Sequence, residues 1–188
     1  MSDSAKKAAV LLATGAEEME SVTIIDILRR GGVETRVVTP EPDRKIRCSR
    51  HVVLLADSLW DEDWLNNADL LVVPGGLGGT RALQAEPRVI AALQRAAAGG
   101  RYVAAICAGP AVLATAGLLA GRRATCYPGL QGELSGADYQ ADQPVVNDGG
   151  VITSRGPGTA IAFALELVRT LCGTAVAESV AGELLLKI

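Results

Sequence analysis

The chain has 188 residues, 49% of them hydrophobic, and a formal net charge of −3 at pH 7. Length and apolar content fit one sizeable buried core and a single domain over residues 1–188. The acidic balance and scattered arginines leave no basic footprint for nucleic acid, and no apolar run approaches the roughly 20 residues that span a membrane.

The opening "MSDSAKKAAVLLATGAEEME" carries two lysines, but its apolar run is short and leads straight into acidic residues. It does not read as a secretory signal, and a cytoplasmic protein is expected. "AAVLLAT" (8–14) is a compact apolar run and predicts a strand. In "EEMESVTIIDILRRGG", Met19, Val22, Ile25 and Leu28 recur at helical steps before a glycine stop. "VETRVVTP" predicts a second strand, "RCSRHVVLLADS" a more exposed pair of short strands, and "DLLVVPGG" another buried strand whose glycines break the chain. Trp60 and Trp64, four apart, read as a packing pair on a short helix. "PRVIAALQRAAAGG" predicts a helix, "RYVAAIC" the central strand, and "PAVLATAGLLAG" the next helix, with Pro110 suited to its first turn. Beyond it, "RATCYP", "PVVND" and "VITSRG" read as short strands, "TAIAFALELVRTLCG" as an apolar helix, and 174–188 as a last helix. Apolar strands separated by helices imply a mostly parallel sheet with helices on both faces, an α/β sandwich.

In such sheets ligands bind beyond the carboxyl ends of the strands. Three segments end there with unusual residues: "TGAEEME", "VVPGGLGG" and "AAICAGP". The cluster Gly75, Gly76, Gly78 and Gly79 matches neither a dinucleotide fingerprint nor a P-loop, but such a loop can present backbone N–H groups to a developing negative oxygen. Cys107 sits where a strand turns into a helix, and unpaired N–H groups with the positive end of a dipole stabilise a thiolate. On residue type alone an inert buried cysteine competes with that reading. Ala108 and Gly109 are small enough to let a substrate approach. Glu17 and Glu18 read as solvated acids at a helix start, whereas Glu20 falls beside Met19 and near Ile24 and Ile27 on the helical wheel, partly inward. Ionised, its carboxylate repels a thiolate; protonated by burial, it donates a hydrogen bond to the sulfur. Both states are open at this point. The four cysteines (Cys48, Cys107, Cys126, Cys172) form no C-x-x-C pair and read as reduced thiols, and the single histidine, His51, removes an imidazole-built zinc site, so no metal is expected.

"GAEEME", "CSR", "VVPGG", "AAICAGP" and "TSRGPGTA" occur in an order and at separations that resemble the ThiJ/PfpI superfamily, in the branch of the animal parkinsonism-associated protein deglycase and its bacterial relatives. The resemblance covers nearly the whole chain. It implies a flavodoxin-like (Rossmann-like) sandwich, a homodimer, no cofactor, and a nucleophilic Cys107 that hydrogen-bonds a protonated Glu20. The backbone N–H groups of Gly76 and Ala108 are then an oxyanion hole. The implied activity is that of a glutathione-independent, glyoxalase III-type hydro-lyase or protein deglycase, acting on methylglyoxal, glyoxal or early glycation adducts. The alternative is an oxidative-stress sensor and redox-regulated chaperone in which Cys107 oxidises to sulfinate.

By the same resemblance Arg50 reaches the pocket from the partner subunit and helps hold an anion; the plain reading is a surface arginine. Cys48 matches a family cysteine near the dimer contact and reads as oxidisable or simply packed, while Cys126 and Cys172 read as core residues. The sequence departs from the animal members at Tyr127, which stands before Pro128 where they carry a histidine; with an ordinary pKa of ~10 it is a hydrogen-bond donor rather than a base. Ala108 follows the cysteine where the protease-like branch has a histidine, which argues against a protease.

Overall fold

The computed structural model describes residues 5–186; the first four residues and the last two of the predicted final helix lie outside it. The strands in chain order are β1 (Lys7–Leu11), β2 (Glu34–Thr39), β3 (Lys45–Arg47), β4 (Val53–Leu55), β5 (Ser58–Leu59), β6 (Leu70–Val73), β7 (Tyr102–Ile106), β8 (Arg123–Ala124), β9 (Asp138–Tyr139), β10 (Val145–Asp148) and β11 (Val151–Ser154). Seven of them form one sheet in the order β10-β11-β7-β6-β1-β2-β5. Every neighbour in it is parallel except the β10–β11 hairpin. Apolar on both faces, β1 divides its side chains by the two-residue period of a strand. Ala8, Val10 and Leu12 enter one core, and Ala9, Leu11 and Ala13 enter the other.

The first core lies under α1 (Glu18–Arg30) and α6 (Ala160–Cys172), where Ile24, Phe163 and Leu167 are fully buried. The second lies under α2 (Glu62–Asn67), α3 (Leu77–Gln84) and α4 (Pro87–Ala98), and buries Leu65, Leu83 and Leu93. α5 (Pro110–Thr115) and α7 (Thr174–Glu183) complete the layers. Along α1 the Glu17 carboxylate caps the helix by accepting the Glu20 N–H at 2.7 Å, and Arg29 and Arg30 close its last turn, so both ends suit the helix dipole.

Four local expectations change. The glycines after β6 do not all form a loop: Gly78 and Gly79 lie inside α3, although glycine costs a helix about 1 kcal/mol. Tertiary packing decides, because a Cβ on Gly79 would stand 2.8 Å from the Ala16 nitrogen, and helix and β1 loop touch backbone to backbone. The helix expected over 110–121 stops at Thr115. Gly117, at φ 75, turns the chain left-handed, and the Leu118 N–H returns to the Leu113 carbonyl at 3.0 Å, a glycine-stopped helix end. The "CSR" stretch is the turn between β3 and β4 rather than strand, with the Cys48 N–H bonded to the Val52 carbonyl. Trp60 and Trp64 do not share a helix; each indole instead lies under an arginine, Arg88 over Trp60 at 5.5 Å and Arg36 over Trp64 at 3.8 Å.

Candidate functional site

The chain leaves β1 for β2 on one side and later returns to β6 on the other, so the carboxyl ends of β1 and β6 bound a crevice where the strand order reverses. The segments after β1, β6, β7 and β11 supply its walls. Cys107 follows β7 directly. Its backbone has φ 64, a left-handed conformation that costs a non-glycine residue on the order of 1–3 kcal/mol. Two bonds hold it there: its N–H donates to the Ser154 carbonyl at 3.0 Å, and its carbonyl accepts the Tyr127 N–H at 3.0 Å. The turn leaves the side chain 9% exposed on the wall of a cavity of about 640 Å³, which Gly15, Glu17, Arg50, Gly76, Ala108, Tyr127 and Pro157 also line.

Glu20 stands behind the thiol and is fully buried. Its Oε2 accepts the Gly75 N–H at 2.8 Å, and its Oε1 takes no N–H or hydroxyl hydrogen bond. Burial pushes this carboxyl up to about 7, against the Gly75 N–H and the Cys107 thiol, which favour the carboxylate. Burial, then the Glu20 charge and its hydrogen bond, push the Cys107 thiol up to about 12, against the N–H groups of Ala108 and Gly76. The N–H groups at this turn do favour the thiolate, but they are outweighed. α5 has only six residues and no side-chain cap, and burial beside a carboxyl outweighs it. What the arrangement does instead is share. Between the two transitions the pair holds one proton and one negative charge. Two backbone donors wait at the sulfur and one at the carboxyl.

The other singled-out residues separate clearly. Tyr127, 48% exposed, lies on the cavity wall, its ring against Gly156. Arg50 lines the cavity of its own chain; its backbone N–H donates to Glu18 Oε1 at 2.7 Å, and its guanidinium reaches only the Ser49 carbonyl at 3.4 Å. Cys48 and Cys126 are buried and do not line the cavity, each raised to about 11 chiefly by burial, and Cys172 is half-buried at the end of α6; all four thiols are free. His51 is exposed in the β3–β4 turn. Among the described residues no cluster of His, Cys, Asp or Glu is placed to hold a metal, and no helix is long and apolar enough to cross a membrane.

Glu18 corrects the reading of a solvated acid. It is buried, and its two oxygens accept the Ser49 hydroxyl at 2.8 Å and the Arg50 N–H at 2.7 Å. Burial raises this carboxyl, but these bonds, with its own N–H and that of Val52, outweigh burial and hold it below the usual range. Glu18 thus ties the turn that carries Arg50 to the helix that carries Glu20. The pattern of three acids in four residues gives no sign of which one turns inward, because the partner turn lies 31 residues away.

A reactive side chain on a strained strand-to-helix turn, at the switch point of an open parallel sheet, defines a class of α/β proteins in which the turn presents one nucleophile to a crevice. The chain belongs to the DJ-1/PfpI family, whose model matches residues 6–170. It is 41% identical over 181 residues to the Drosophila melanogaster protein dj-1beta, covering 96% of this chain and 97% of that one. It is 33% identical over 173 residues to a Caenorhabditis elegans protein named glutathione-independent glyoxalase DJR-1.2, covering 90% and 91%. The crystal structure of Drosophila melanogaster DJ-1beta superposes with a TM-score of 0.94 at 40% identity, over 98% of this chain and 100% of that one. The fold is accordingly the flavodoxin-like sandwich.

Proposed function

We propose that the chain is a cysteine-dependent, glutathione-independent glyoxalase or deglycase, acting on methylglyoxal, glyoxal or early glycation adducts through Cys107 and Glu20. One observation carries this reading: the thiol is paired with a buried carboxyl raised to about 7, a value at which one group both takes and gives a proton near neutrality. The name of the Caenorhabditis elegans relative supports it.

In this reading Glu20 takes the thiol proton while the sulfur adds to the aldehyde carbon, forming a C–S bond and an alkoxide. The N–H groups of Gly76 and Ala108 stabilise that oxygen until Glu20 returns the proton to it. Glu20 then removes the hydrogen from the former aldehyde carbon, and the electron pair moves to the neighbouring carbonyl as an enediolate. Protonation of that second carbon by Glu20, with the remaining hydroxyl proton passing to its oxygen, leaves a thioester on Cys107. Water hydrolyses it to lactate or glycolate and restores the thiol. The sequence is redox-neutral overall and draws on no cofactor. Tyr127, on the wall, donates a hydrogen bond to the substrate in place of an imidazole. Replacement of Cys107 by serine is expected to reduce lactate formation from methylglyoxal to the uncatalysed rate, measured by an end-point lactate assay; turnover within a few-fold of wild type would overturn the reading.

A second reading uses the same pair: Cys107 as an oxidation sensor, with peroxide carrying it to sulfinate and chaperoning as the output. A Toxoplasma gondii relative, 37% identical with a TM-score of 0.91, was solved in a form described as oxidized. Reduced thiols, as in a cytoplasm, suit either reading.

The proposal includes a homodimer. Met19 and Leu55 are 62% and 64% exposed, and Val22 on α1 and Leu55 on the β3–β4 hairpin line a depression of about 320 Å³ that Asp26, Arg29 and Asp57 also line. Exposed apolar side chains beside a charged depression favour association, and they adjoin the turn that carries Arg50, which lines the cavity of its own chain and in a dimer lies where that cavity meets the partner. Sedimentation is expected to give a dimer at micromolar concentration and a monomer for Leu55→Arg. A wild-type monomer would remove both the dimer and the shared arginine.

A further inference from the structure

Arg155 is a partly buried cation that the proposed chemistry leaves unused. It follows β11, whose Ser154 carbonyl accepts the Cys107 N–H, so it begins the segment beside the thiol. Its Nε is sealed from solvent with no hydrogen-bond acceptor, and its guanidinium joins no ion pair among the described residues. Arg81, Arg88 and Arg95, by contrast, each hold a carboxylate at 2.6 to 2.8 Å. A guanidinium stays charged at any pH a folded protein meets and offers five N–H donors in a planar fork. With no carboxylate of the chain paired to it, the group is left to hold an acceptor from outside through its terminal nitrogens.

The acceptor has a place. A hollow of about 190 Å³ lies against Arg155, walled by Tyr127, Pro128, Gly156, Pro157 and Thr159. That is several times the ~30 Å³ share of one water, enough for a carboxylate. Tyr127, Pro128 and Pro157 also line the cavity beside Cys107, so the two hollows share a wall. No aspartate or glutamate lines it, and Arg155 is its one charged wall.

We propose that Arg155 is a specificity-determining residue that anchors a carboxylate carried a few bonds beyond the reactive carbon, so that the site takes acidic carbonyl compounds, such as adducts on an amino acid or peptide with a free carboxylate. The proposal rests on Cys107 being the reactive group of this cavity. It is tested without turnover, by alkylating Cys107 with iodoacetylglycine and with the neutral iodoacetylglycinamide. In both, the sulfur displaces iodide, a C–S bond replaces the C–I bond, and the thiol proton goes to buffer; only the tail charge differs.

The acid is expected to label wild-type Cys107 about 10-fold faster than the amide, relative to the same ratio for free N-acetylcysteine, the preference one charge-assisted contact supplies. Arg155→Met, which keeps much of the side chain's length, is expected to bring that ratio down to the free-thiol value, and Arg155→Lys to retain part of it. A preference that survives Arg155→Met, is absent from the wild type, or disappears in Arg50→Met instead would overturn the assignment. Lactate formation by the wild type is measured alongside. Its absence would sink the glyoxalase reading, while the alkylation ratio would still judge Arg155.

Discussion

Glu20→Gln is expected to unfold at higher denaturant than the wild type at pH 8 and to make almost no lactate. Both effects have the same cause. An unfolded chain loses the Glu20 proton near 4.5, whereas the folded chain keeps it to about 7. Between those values the folded state holds one more proton, so rising pH removes stability, and the loss is complete above 7. At about 1.4 kcal/mol for each tenfold change in proton affinity, the ceiling on that loss is roughly 3 kcal/mol. Glutamine escapes it. Its carbonyl keeps the Gly75 N–H bond, but its amide N–H groups meet only a sulfur, so the expected net gain at pH 8 is about 1–2 kcal/mol. The gain shrinks as pH falls toward 4.5, where the wild type is protonated in both states. Urea melts at pH 5 and pH 8 read it directly. An amide neither takes the thiol proton nor carries a proton from one carbon to the next, and loss of such a group commonly lowers turnover by about 10²-fold to 10⁴-fold. Equal stability differences at the two pH values would mean that the carboxyl is not held protonated by burial, and near-normal lactate formation would remove its acid–base role.

Gly75→Ala is expected to abolish turnover by a purely steric route. Gly75 is not among the residues of positive φ, so alanine meets no backbone penalty there. Its methyl carbon, however, would lie 2.5 Å from Cys107 Cβ, 2.6 Å from Glu20 Oε2 and 3.0 Å from Cys107 Sγ. The three atoms belong to two buried residues, Cys107 in the turn after β7 and Glu20 on α1, and relief requires parting the carboxyl from the sulfur. Overpacking of this kind costs about 1–3 kcal/mol, and a displacement near 1 Å at reacting groups costs roughly 10²-fold in rate. Gly182→Ala, in α7, is the control, since its added carbon meets nothing within 4 Å. Thermal melts beside kcat/KM separate misfolding from misplacement. A Gly75→Ala protein with turnover close to wild type would show that the sulfur and carboxyl need no such closeness.

Period, apolar runs and turn residues were enough to place six of the seven strands of the main sheet, all but the half-exposed edge strand β5, and most helices in order, because those signals are local and the inner strands are buried on both faces. They were also enough to mark Cys107, since a thiol between an apolar strand and a proline-started helix is visible in seven residues, and to turn Glu20 partly inward, since its helical wheel has an apolar side. Three things were decided only by tertiary contact. Glu18 is buried because the β3–β4 turn, far away in sequence, brings a hydroxyl and an N–H to it. Gly78 and Gly79 stay helical because the β1 loop presses its backbone against theirs, overriding propensity. The proton balance of Cys107 and Glu20 is set by how deeply the sheet and α1 bury the pair, a quantity with no local signature. A sequence specifies which groups exist and how each segment prefers to bend; dielectric, close approach and unmet donors such as the Arg155 nitrogen arise only when distant segments meet.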